Sequence, residues 1–222
     1  PTTHHVQFGN PWHLLDALMS RCELLEEIDL PFPLGGCFGY WGYDLKNFVE
    51  PKLPRRAVND LELPDCHVGF HDSLVVFDHL LGTVCVVSTG LAADGSREER
   101  RAHERLSRWR SLLESQPPVG VGCASRGATP SSGIVPATAR SDFLAAVERA
   151  QRYIRAGDIY QVNLSHRLAA PCPLSGWVLF GRLLAVSPAP FAAFLDCGDF
   201  QLAYSSPEFF LRFSGSHVIT RP

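Results

Sequence analysis

Between residues 160 and 167 apolar and polar positions alternate along the chain. Successive strand side chains point to opposite faces, so Tyr160, Val162, Leu164 and His166 would share one face of a strand. Gln161, Asn163, Ser165 and Arg167 would share the other. Only one residue of that second face is charged. Amides both donate and accept, which suits the carboxylates and hydroxyls of a small polar ligand. A wet edge-strand face is the alternative that the same pattern allows.

The residues before this strand read as a helix. Phe143, Val147, Ala150 and Ile154 recur at helical spacing, with Ser141 or Asp142 as the start cap and Gly157 as the stop. After it come a helix in "SGWVLFGRLLAVSP", two strands around the Asp196–Asp199 turn, and a hairpin turning at 214–216.

In the first half, 11–27 reads as an amphipathic helix through Leu14, Leu15, Leu18, Leu24 and Leu25. Residues 73–88 read as a hairpin around Gly82. Residues 97–115 read as a charged helix with Ala102, Leu106, Trp109 and Leu113 in one stripe. Its six Arg are interleaved with four Glu, the signature of a solvated outer face rather than a basic binding surface. Gly36, Gly39 and Gly42 fall in a strand-like run, where glycine marks a bulge or a close backbone approach.

The pattern stops at 116–138, which is rich in Pro, Gly, Ser and Thr and reads as a linker or flexible loop. The expected organisation is therefore an N-terminal region at 1–115, that linker, and a second region at 139–222. Helices interleaved with adjacent hairpins point to an α+β fold with antiparallel sheets.

Composition narrows the function classes. The chain has 222 residues, 45% of them hydrophobic and 19% charged, enough for a packed core. A formal net charge of −3 gives no electrostatic case for nucleic acid. No apolar run is long enough to span a membrane. The seven cysteines are scattered without a CxxC pair or a zinc-type Cys/His spacing, so reduced thiols in a cytoplasmic protein are expected, and no metal ligand is assigned. There is no Gly-x-Ser-x-Gly elbow to support Ser/His/Asp catalysis. Glu208 in "SSPEFF" follows a Ser-Pro turn and precedes two Phe. Desolvation there would raise its pKa and suit it to general-acid work, although from the residues alone a glutamate reaching water at a strand start is the better reading.

Four stretches, "AGDIYQVNLSHRL", "APFAAFL", "SSPEFFLRF" and the terminal "ITRP", resemble the chorismate-utilising enzyme family in their order. That family includes the component I chains of anthranilate synthase and aminodeoxychorismate synthase, and the isochorismate and salicylate synthases. "GGCFGYWGYDL" and "LPDCHVGFHDSLVVFDH" resemble the N-terminal region of the component I chains. The resemblance implies antiparallel sheets packed as a sandwich with flanking helices, incomplete at the C-terminus. It makes 139–222 the first part of a chorismate-binding domain.

Further expectations follow from the resemblance alone. The position of Gln161 is a water-activating lysine in isochorismate-forming members, so Gln161 disfavours water addition and points to ammonia. "YQVNLS" and "APF" look like the aminodeoxychorismate type, with the anthranilate type as the near alternative. A non-catalytic chorismate- or tryptophan-binding or amidotransferase-docking module is the reading from another class. Glu208 takes the role of the acid that protonates the departing C4 hydroxyl. A lysine in the family motif T-R-P-I-K-G-T attacks the ring, and ammonia from a glutamine amidotransferase partner displaces it. Magnesium would neutralise the substrate carboxylate, on ligands further along the chain. Pro190, Phe191 and Ala192 match a tryptophan-binding segment.

The motif's lysine would fall two residues past Pro222. The 222-residue chain by itself, supplied with chorismate, ammonia and magnesium, is therefore expected to form no aminodeoxychorismate. Product detected by chromatography would contradict this.

Overall fold

The computed structural model describes residues 6–23, 30–115 and 133–221. The chain divides into two compact units, Pro1–Val121 and Gly122–Pro222. Residues 1–5, 24–29, 116–132 and 222, which hold Leu24 and Leu25 of the expected first helix and most of the expected linker, lie outside the described residues. All strand pairs are antiparallel, and mixed helix and antiparallel strand content bears out the α+β expectation.

In the first unit, α1 (Pro11–Cys22) begins where Asn10 accepts a hydrogen bond from the Trp12 N–H at 3.0 Å. Pro11 fits the first helical position, where its missing N–H costs nothing. The helix ends at Cys22, five residues before the expected end. The Arg97 guanidinium donates to the carbonyls of Cys22 and Glu23 at 3.0 and 3.1 Å. It thereby satisfies carbonyls that a helix end leaves open.

Strand β1 (Gly36–Trp41) precedes the short α2 (Lys46–Val49) and pairs with β2 (Cys66–His71). Glycine is required on β1 because the partner backbone lies too close for a side chain. A Cβ on Gly39 would overlap the His67 carbonyl oxygen, and one on Gly42 would sit 2.7 Å from that of Asp65. The expected close approach is thus observed.

Strands β3 (Ser73–Asp78) and β4 (Thr83–Ser88) form the expected hairpin, and α3 (Glu99–Ser115) packs on it. Ala102, Leu106 and Trp109 are part-buried, and the Trp109 indole donates to Ser73 Oγ at 3.1 Å. Leu113, the last of the expected stripe, is 41% exposed.

In the second unit, β5 (Val135–Pro136) pairs with β6 (Leu168–Ala169), although the sequence reads 135–136 as loop. Between them α4 (Arg140–Ala156) starts two or three residues earlier than the expected caps would place it. Ala139 occupies the cap with no side-chain bond, so Ser141 and Asp142 lie inside the first turn. The helix stops as expected at Gly157, whose φ of 79° is the left-handed conformation that favours glycine.

Helix α5 (Gly176–Val186) packs on the hairpin of β7 (Ala193–Asp196) and β8 (Gln201–Tyr204). The contact is aromatic. Phe180, one of two buried apolar side chains among the described residues, lies 5.9 Å from Trp177 and 5.8 Å from Phe194, centroid to centroid. Trp177 meets Phe194 edge-on at 5.4 Å. Such geometry adds about 0.5–1.5 kcal/mol per pair beyond area burial. Ser175 caps α5, and the Gln201 side chain accepts from the Gly176 N–H at 3.2 Å. Finally β9 (Phe209–Ser214) and β10 (His217–Arg221) form the expected terminal hairpin.

Two glycines should respond oppositely to alanine. Gly39→Ala places a methyl against a backbone oxygen that cannot yield, so a loss of about 1–3 kcal/mol is expected in urea denaturation. Gly181→Ala, inside α5 with nothing within 4 Å of the new Cβ, should gain about 0.5–1 kcal/mol from helix propensity.

Candidate functional site

The strand expected at 160–167 is not there as a ladder. Strand pairing is assigned only at Leu168 and Ala169, with one further bond from the Ala137 N–H to the Arg167 carbonyl at 2.9 Å. A strand needs a neighbour to take its backbone groups, and among the described residues these positions are not laddered. Gln161, Asn163, Ser165 and Arg167 are exposed, and on the opposite side Tyr160 is 92% exposed. The segment is tied back to α4 where the His166 ring lies 5.3 Å from that of Phe143.

Glu208 sits immediately before β9 in a turn closed on itself. Ser206 Oγ donates to the Glu208 carbonyl at 3.1 Å and lies 3.4 Å from the Glu208 N–H. The side chain is exposed, so the desolvation expected from its aromatic neighbours is absent. The reason is directional. Phe209 turns inward onto Phe191, whereas Phe210 is 80% exposed, and neither covers the carboxylate.

The segment carrying Pro190, Phe191 and Ala192 lies against this turn. The Phe191 ring stacks on Phe209 at 4.9 Å and 17°, and the Phe191 N–H donates to the Ser206 carbonyl at 3.2 Å. Ser205 Oγ donates to the Ser187 carbonyl. Pro190 is exposed in the turn, while Phe191 and Ala192 are part-buried. The structure therefore joins "APF" and "SPE", two motifs seventeen residues apart, into one local assembly. Among the described residues no hydrogen bond joins Gln161 to it.

Sequence reasoning missed Arg221. From Ser214 opposite His217, the ladder runs regularly to Ile219 opposite Arg212. It then shifts by one, so that Arg221 opposes Phe209 instead of Phe210. Thr220 Oγ1 donates to the Phe209 carbonyl at 3.2 Å across the shift. Such bulges re-aim a strand and recur beside active sites. Here the bulge sets the Thr220–Arg221 end of β10 against Phe209, the residue after Glu208. Turn position alone predicts the regular register; no local signal announced the shift.

Other chemistry lies apart from this assembly. Burial pushes the Cys37 thiol up, reinforced by the thiols of Cys66 and Cys22, and burial likewise pushes Cys66 up. Raised thiols are poor nucleophiles at neutral pH. Among the described residues there is no group of three or more His, Cys, Asp or Glu that could hold a metal ion. No described helix is long and apolar enough to cross a membrane.

The family model for chorismate binding enzymes matches residues 2–222. The chain belongs to the chorismate-binding enzyme family. Anthranilate synthase component 1 of Thermus thermophilus is 38% identical over 194 residues, covering 87% of this chain and 40% of the relative. Aminodeoxychorismate synthase component 1 of Salmonella typhimurium is 31% identical over 222 residues, covering 99% of this chain and 44% of the relative. The crystal structure of anthranilate synthase component I from Streptococcus pneumoniae superposes with a TM-score of 0.70 at 27% identity. It covers 92% of this chain and 46% of that one. The chain thus spans less than half the length of these chorismate-binding relatives.

The Phe191–Phe209 stack can be measured directly. A double-mutant cycle with Phe191→Ala and Phe209→Ala should give a coupling of about 0.5–1.5 kcal/mol in unfolding free energy. Strict additivity would remove the stack as the link between the two motifs.

Proposed function

We propose that the whole protein is component I of an aminodeoxychorismate synthase. It would aminate chorismate at C4 with ammonia from a glutamine amidotransferase, toward 4-aminobenzoate. Glu208 is the general acid that protonates the departing hydroxyl. Gln161 contributes to the substrate pocket and, lacking the basicity of a lysine, leaves water unactivated. Pro190, Phe191 and Ala192 form part of a tryptophan-binding segment. Magnesium, on ligands outside the described residues, neutralises a substrate carboxylate.

The observation that carries this reading is the β9–β10 register. It sets Arg221 opposite Phe209, the residue that follows Glu208 in the chain, with Thr220 Oγ1 bonded to the Phe209 carbonyl. A lysine following those residues in the family motif would travel along the strand edge that presents the acid. Nucleophile and acid on one substrate is the arrangement that displacement of a ring hydroxyl needs. Exposure of Glu208 leaves its carboxylate open to a ligand.

Anthranilate synthase component I is the second reading, favoured by the 38% identity to the Thermus thermophilus protein against 31% to the Salmonella typhimurium one. Product identity separates the two. The whole protein with chorismate, ammonia and magnesium should release 4-amino-4-deoxychorismate; anthranilate would select the second reading, and isochorismate would exclude both. Glu208→Gln in the same protein should lower kcat by about 100-fold or more with chorismate binding retained. Unchanged turnover would remove Glu208 from the acid's role.

A further inference from the structure

A cleft lies in the first unit, remote in sequence from the Glu208 assembly. Its volume is about 310 Å³. That falls at the lower end of small-molecule sites, roughly 300–1,000 Å³. Leu18 of α1, Phe70 of β2, and Leu91, Ala92 and Ala93 of the loop after β4 supply apolar wall. The charged groups on the lining are Arg21, Asp72, Arg101 and Arg105.

The arginines are arranged unevenly with respect to the one carboxylate. Arg101 and Arg105 both direct their Nε–H to the same Asp72 oxygen, at 3.1 and 3.4 Å. One unit of negative charge thus holds two guanidinium groups in fixed orientations. Neither Nη edge is engaged among the described residues. Arg21, on the last turn of α1, has no side-chain partner among them either. Asp94, off the lining, accepts from the Ser96 N–H and Oγ at 2.9 and 2.7 Å; those bonds first, and the charge of Arg101 last, hold its carboxyl below the usual range. Three cations against one carboxylate leave the rim net positive, and the loose guanidinium edges are planar double donors that match a carboxylate.

We propose that this cleft binds a small organic carboxylate with an apolar body. The carboxylate sits between Arg21 and the Nη edges of Arg101 and Arg105, and the body rests on Phe70 and Leu91. Asp72 is the positioning residue: it keeps two like charges from repelling each other out of the site. An ion-pair clamp between α3 and the β2–β3 corner would need only one of the two arginines and would have no use for Arg21.

Benzoate, benzamide and inorganic phosphate are the probes, titrated into the protein and followed by calorimetry and by amide chemical shifts. Benzoate should bind saturably, more weakly as salt is raised. Benzamide, with the same body and no charge, should not bind, and phosphate should bind more weakly than benzoate. Arg21→Ala should weaken benzoate about tenfold, the loss expected of one charge-assisted contact, with the thermal midpoint unchanged. Arg101→Gln, which keeps a donor for Asp72, should weaken it similarly. No saturable benzoate binding would overturn the proposal. So would equal binding of benzamide, tighter binding of phosphate, or affinity unchanged in both variants. Because none of these residues belongs to the Glu208 assembly, either reading can fail without the other.

Discussion

The stack of Phe191 on Phe209 is the contact on which the candidate site depends. Without it the turn before β7 and the turn before β9 would be two exposed loops. With it, and with the Phe191 N–H bonded to Ser206, the Ser206–Glu208 turn is held against the body of the second unit. The anchor for that body is the cluster of Trp177, Phe180 and Phe194, which fixes α5 on the β7–β8 hairpin. Aromatic rings suit both tasks, because each buries a large area through few rotatable bonds.

A different constraint organises the first unit. There the backbone approach of β1 to β2 excludes side chains at Gly39 and Gly42, and the ladder is built around those absences. Around it, polar groups finish what packing starts. Arg97 closes the end of α1, and Asp72 gathers two arginines of α3. The helix the sequence marks as a solvated, salt-bridged face is thereby also a wall of a cleft. The bland reading of its charges and the binding reading are both satisfied by different edges of the same guanidinium groups.

Membership of the chorismate-binding family changes the weight of the exposed residues. Gln161 and Glu208 lie open to solvent, as does much of the apolar surface of 160–167. In a chain spanning less than half the length of its relatives, that surface is the natural place for further packing. Exposed apolar side chains lower their free energy by acquiring a neighbour.

Much was determined by sequence alone. Helical periodicity placed α3, α4 and α5, and the alternation around Gly82, Asp196–Asp199 and 214–216 placed three hairpins, because local propensity and turn chemistry agree there. Gly157 stopped its helix for a reason visible in one residue. Motif order marked Glu208 and Phe191. What the sequence could not carry was everything that depends on a partner distant along the chain. Alternation at 160–167 is a strand signal only if a neighbouring strand is supplied. Burial of Glu208 depended on which way Phe209 and Phe210 turned. The one-residue bulge that brings Arg221 opposite Phe209, and the meeting of Arg21, Arg101 and Arg105 at one cleft, are decided by three-dimensional packing. Local patterns state what a segment can be, and the backbone groups and charges of other segments decide what it becomes.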